Sequence, residues 1–153
     1  AAHDECRHAK IFYQLAASEG VLPPTPQQED GPQTLFEVAL HNATEGCVHE
    51  TWAALLAHYQ SQHATSASLR AAYAQIAVDE TRHGQLSWDL HAWFLTQLSP
   101  KEVIAVRNAQ ATAIEQLANC TIEPEVFEDT VGLPPGPIRE QLATRFAQSL
   151  VEA

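Results

Sequence analysis

All nine prolines lie outside the stretch from Thr34 to Ser99, and inside it apolar residues recur at helical spacing. Proline removes a backbone donor and clashes with the preceding turn, so a long proline-free segment of this period can run as long helices. A polar break around Ser61 to Thr65 divides it. The spacing predicts one helix from about Thr34 to His58 or beyond, and another from about Ser66 to Leu98. Upstream, Glu5, His8, Phe12 and Leu15 share a stripe, which predicts a helix over residues 1 to about 19; the glycine- and proline-rich residues 20 to 33 read as a loop. Downstream, Ser99-Pro100-Lys101-Glu102 is a capping box with proline at the first helical position, so a new helix starts there and reaches about Asn119. Residues 120 to 137 form a proline-containing connection, and Ile138, Leu142, Phe146 and Leu150 mark a last amphipathic helix. No strand-like alternation of useful length is present. The expected class is all-α, in one domain: bundle helices over 1–98 and a two-helix C-terminal extension over 99–153.

The chemistry on these helices is concentrated in a repeated phrase. Asp4-Glu5-Cys6-Arg7-His8 recurs as Asp79-Glu80-Thr81-Arg82-His83. Each copy sets a glutamate three residues before a histidine, on one face of its helix. A carboxylate and an imidazole aimed at one point are two metal ligands, and two such pairs inside a helical bundle make the core of a dinuclear site.

The spacing passes a geometric test. With the turn between the two long helices at about residue 63, Glu45, Glu80 and His83 all fall about 27 Å from it. For Glu5 to reach the level of Glu45 in a parallel helix, the loop must cover nearly 40 Å, and fourteen extended residues span about 46 Å. One long crossover followed by a short turn is a known four-helix-bundle connectivity. On the third long segment the stripe Leu69, Tyr73, Ile76, Glu80, His83, Leu90 and Phe94 is an ordinary core seam except for Glu80 and His83. A lone carboxylate there costs several kcal/mol unless paired or bound to a cation. On the middle helix, Glu45 shares a stripe with Val38, Trp52 and Leu56, while Glu50 shares one with Phe36, Ala43 and Cys47; Glu45 is the favoured ligand.

Charge and cysteine usage narrow the partners. A net charge of −11 argues against nucleic acid or an anionic membrane surface as partner. No apolar run is long enough to span a membrane. Cys6, Cys47 and Cys120 form no C-x-x-C pair, and this odd, sparse set favours a reducing compartment, so a soluble, cytoplasmic protein is expected.

Through Asp4-Glu5-x-x-His8, Glu45 and Asp79-Glu80-x-x-His83, the chain resembles the ferritin-like di-iron carboxylate proteins, the group of rubrerythrins and bacterioferritins, over roughly residues 1–98. The resemblance implies a partial ferritin-like four-helix bundle with Glu5, His8, Glu45, Glu80 and His83 as metal ligands. Two iron ions are the implied cofactor, with manganese as the alternative, since a carboxylate-and-imidazole set suits these metals better than a structural zinc site. It also implies Asp79 behind His8 and Asp4 behind His83, each orienting an imidazole through its second N–H. The family's first helix and its glutamate have no counterpart here; an N-terminal segment or another subunit is expected to complete the bundle. The implied activity is a di-iron or di-manganese oxidoreductase acting on dioxygen or peroxide. The alternative is a non-catalytic structural or interaction module with a degenerate or empty site.

Other motifs carry less. His49-Glu50 begins a zincin-like phrase, but Ala53 stands where the second histidine is required. His41, Glu45 and His49 form an i, i+4 ladder read as exposed helix residues, and His3, His58, His63 and His91 are read as surface or capping histidines. Cys6 and Cys47 are read as small buried thiols. Gly46 and Gly84, each directly after a proposed ligand, point to close helix contact.

Overall fold

The computed structural model describes residues 2–18, 20–22, 31–119 and 128–152, and all regular structure among them is helical. The chain forms two compact units, Ala1–Gly31 and Pro32–Ala153. The middle of the 20–33 loop, the start of the 120–137 connection and Cys120 lie outside the described residues.

The first unit holds α1, Ala2–Ser18. Asp4 and Glu5 in its first turn oppose the positive end of the helix dipole. Gly20, at φ +75°, ends it: the Gly20 N–H reaches the Ala17 carbonyl at 3.1 Å and the Val21 N–H the Ala16 carbonyl at 2.9 Å, a Schellman closure that needs a left-handed residue.

The second unit begins with α2, Leu35–His41, capped reciprocally by Thr34 and Glu37. The Thr34 hydroxyl accepts from the Glu37 N–H at 3.2 Å, and the Glu37 carboxylate accepts from the N–H groups of Thr34 (2.9 Å) and Gln33 (2.8 Å). The chain then passes without a break through a π-helical segment, Asn42–Glu50, into α3, Thr51–His63. The single long helix read from the sequence is thus real in extent but changes its winding in the middle. Thr44 marks the change, its hydroxyl donating back to the Leu40 and His41 carbonyls, both at 3.2 Å.

A short turn leads to α4, Ala67–Gln97, whose N-terminal Leu69 N–H is capped by Ser66 at 3.1 Å. Arg70 holds the turn, donating to the carbonyls of Ala64 (2.7 Å) and Thr65 (2.9 Å). Then come α5, Pro100–Ala118, a single turn α6, Glu128–Val131, and α7, Gly136–Glu152. The Ser99–Glu102 capping box is present as expected, and Pro100 opens α5. The turn α6 within the 120–137 connection was not expected. It reaches back to the α3–α4 turn: Thr65 donates its N–H and its hydroxyl to the Thr130 carbonyl at 3.2 and 3.1 Å, and Gln60 donates to the Val131 carbonyl at 3.1 Å. Gly132, at φ +69°, packs its Cα against the Ala64 backbone, where a Cβ has no room.

Within this unit α3 and the π segment lie along α4, and α5 packs on the π segment and α7. Ala39, Ala43, Phe94 and Val106 form a buried apolar cluster, with Phe36, Leu40, Leu95 and Leu98 against it. Trp52 of α3 meets Phe146 of α7 at a ring-centroid distance of 5.5 Å. No helix among the described residues is long and apolar enough to cross a membrane.

Candidate metal centre

Both Glu-x-x-His pairs sit on helices, as their spacing requires. On α4, His83 Nδ1 lies 3.5 Å from Glu80 Oε2, and both side chains are buried. On α1, His8 Nδ1 lies 3.7 Å from Glu5 Oε2, with His8 buried and Glu5 half exposed. Each copy of the motif therefore presents its carboxylate and imidazole side by side.

The aspartates and arginines pair within their own copies. Asp4 Oδ1 accepts from Arg7 Nη2 at 3.1 Å. Asp79, fully buried, accepts a close hydrogen bond from Arg82 and longer ones from the Gln75 amide at 3.3 and 3.4 Å. A buried carboxylate is tolerated where charged and amide donors surround it, and Arg82 and Gln75 supply them here.

The middle helix departs from the expectation. Glu45 is half exposed and its carboxylate meets His49 Nδ1 at 3.0 Å on the outer face. The carboxylate that faces α4 is Glu50, partly buried, which accepts from the Ser87 hydroxyl at 3.4 Å. The cause is the stripe through Ala43 and Cys47, which carries Glu50 inward, together with the π winding of Asn42–Glu50, whose i to i+5 bonding shifts the facing residues relative to an α-helix. Neighbouring contacts fix the level. Gly46 lies against Ser87 and Gly84 against Thr51, so Glu50 is near the height of His83 and Glu45 lies beyond Ser87.

The buried face of α4 also differs from the expected stripe. Leu90 is exposed, and the face continues instead through Ser87 and His91. His91 is buried, not a surface histidine, and burial first, then the Arg107 charge, holds its pKa below the ordinary imidazole value. Ser87 and His91 follow His83 at i+4 and i+8, a spacing visible in the sequence, but polar residue types hid their burial. Cys47 is fully buried: its thiol donates to the Ser87 carbonyl at 3.4 Å, and Asn42 Nδ2 donates to the same carbonyl at 2.9 Å. Burial, and then the Glu50 charge, push the Cys47 thiol up to about 12. Cys6, expected to be buried, is exposed.

The second unit thus assembles Glu80, His83 and Glu50 along one helix–helix contact, braced by Ser87 and closed by two glycines. Comparison of the chain with protein-family models, curated proteins and solved structures gives no match.

Proposed function

We propose that this chain is a ferritin-like di-iron or di-manganese carboxylate protein, an oxidoreductase that reduces dioxygen or peroxide. The observation that carries this reading is the duplicated motif: each Glu-x-x-His places its carboxylate within 3.7 Å of its imidazole, and in the α4 copy both groups are buried. In this reading Glu5, His8, Glu80 and His83 are ligands. Glu50, facing α4 through Ser87, takes the part first given to Glu45. Two metal ions held by these carboxylates and imidazoles would supply Lewis acidity and electrons for reduction of the oxidant.

The chain's own residues have distinct tasks. Glu80 and Glu50 provide negative charge that offsets the cations, and the Ser87 hydroxyl orients the Glu50 carboxylate. His83 offers a ring nitrogen whose direction is set by its helix. Asp79 and Asp4 are assigned to orient the imidazoles of the opposite copies, with Arg82 and Arg7 balancing their charge. The apolar cluster of Ala39, Ala43, Phe94 and Val106 lies farther along α4, with Phe94 about 16 Å beyond His83, and anchors the second unit there.

Anaerobic ferrous loading followed by metal analysis tests this. About two irons per chain and consumption of added oxidant are expected. Glu80→Ala and Glu50→Ala should each lose metal while helical circular dichroism stays near that of the parent, whereas Glu45→Ala should keep it. A parent chain that retains no metal after loading would sink the reading and leave the helical interaction module.

A further inference from the structure

The outward face of α4 carries an apolar stripe that its own unit leaves uncovered. Val78 is 58% exposed, Leu86 49%, Leu90 37% and Trp93 49%. At about 100° per residue these four fall within an arc of roughly 120°, over about 22 Å of helix. Two exposed charges, Arg82 and Asp89, lie inside the same arc between the apolar residues, as does fully buried Asp79, which Arg82 pairs with. Exposed apolar stripes of this kind mark interaction surfaces.

The order of residues along the stripe identifies the occupant. A two-fold axis crossing α4 between Gln85 and Leu86 carries Val78 onto Trp93 and Arg82 onto Asp89. Small then meets large, cation meets anion, and each match occurs twice, as a closed two-fold interface requires. A parallel pairing would instead set Arg82 on Arg82 and Asp89 on Asp89. We propose that α4 is a self-association surface, on which a second copy of this chain docks its own α4 antiparallel, with Leu86 at the axis and Arg82–Asp89 pairs on either side.

Arg82 already serves Asp79, but a guanidinium has five N–H donors in a fork and can hold a second carboxylate. Asp89 accepts from Gln85 at 3.0 Å and keeps its other oxygen for the partner copy. A stripe of this length and about 10 Å width covers less than the roughly 800 Å² per partner of a standard stable interface. The dimer is therefore concentration-dependent.

Sedimentation velocity of the whole chain across roughly 1–200 µM, spanning the weak end of specific association, is the test. The weight-average mass should rise from monomer toward dimer. Leu86→Glu should remain monomeric throughout without a lower unfolding midpoint, because the position is exposed. Asp89→Arg should weaken association about tenfold or more. Orientation is read with a short bis-maleimide linker in a Cys6→Ser, Cys120→Ser background: Leu86→Cys should cross-link to its copy, and Val78→Cys, about 22 Å from its copy, should not. A chain monomeric at the top concentration, a dimer indifferent to Leu86→Glu, or equal cross-linking at both positions would each overturn the proposal.

Discussion

Replacing Gly46 by alanine sets two effects of opposite sign against each other. Helix propensity alone favours the alanine by about 1 kcal/mol. The structure opposes it, because a Cβ at this position would lie 2.7 Å from Ser87 Cβ and 3.2 Å from Asn42 Oδ1, and closer still to the Ser87 hydroxyl. The hydroxyl can rotate away, but Ser87 Cβ moves only with α4. Carbon atoms pack at about 3.5–4.0 Å, so the helices must part by close to 1 Å. Because Ser87 Cβ yields only with its helix, the cost lies in the upper part of the overpacking range, about 2–3 kcal/mol, which leaves a net loss of about 1–2 kcal/mol. For a chain of this size that lowers the thermal midpoint by roughly 3–6 °C. Thermal unfolding of the metal-free protein, followed by circular dichroism, measures it. The companion variant Ser87→Gly removes the opposing Cβ, so Gly46→Ala should be far milder in that background, with a coupling of about 1–2 kcal/mol in the double-mutant cycle. If Gly46→Ala leaves the midpoint unchanged or raises it, or if the two losses simply add, the close approach of these helices is not what the glycine serves.

Two further outcomes follow from the buried groups. Cys47, fully buried and with its thiol pushed up to about 12, should resist iodoacetamide in the folded protein while exposed Cys6 is alkylated, as peptide mapping would show; equal labelling would contradict the packing around Ser87. His91, held below its ordinary pKa, resists protonation when folded but not when unfolded. Its contribution is therefore intact above about pH 6.5 and is lost as the pH falls through that range toward the depressed folded value. Urea unfolding at pH 7.5 and 5.5 should show a smaller acid loss in His91→Leu than in the parent, and an identical loss would remove His91 as a source of acid sensitivity.

The sequence was most readable where the determinants are local. Ser99-Pro100-Lys101-Glu102 opens a helix because its hydrogen bonds close within four residues, and the structure has that cap. The α3–α4 hairpin followed from proline placement and helical period. What escaped was decided between helices. Leu90 looked like core and His91 like surface, since residue type is the usual guide to burial. The face of α4 that turns inward is nevertheless set by the glycine contacts at 46 and 84 and by the carbonyl of Ser87, which binds Asn42 and Cys47. Glu45 was preferred to Glu50 by stripe-matching on an unbroken α-helix, and Thr44 with its neighbours winds the chain differently there. The paired glutamate and histidine in each copy were legible because i and i+3 adjacency needs nothing beyond the helix itself.

The π-helical segment can also be viewed as a count of residues. One fewer residue between Asn42 and Glu50 would let the segment relax to ordinary α winding while Leu35–His41 and α3 keep nearly the same phase, because the wider turn takes up about one extra residue. Ala39 would then stay in the cluster it shares with Phe94 and Val106. The segment acts as a phase adjuster in chain length: a single inserted residue reconciles the face that α2 offers to the core with the face on which Glu50 meets α4.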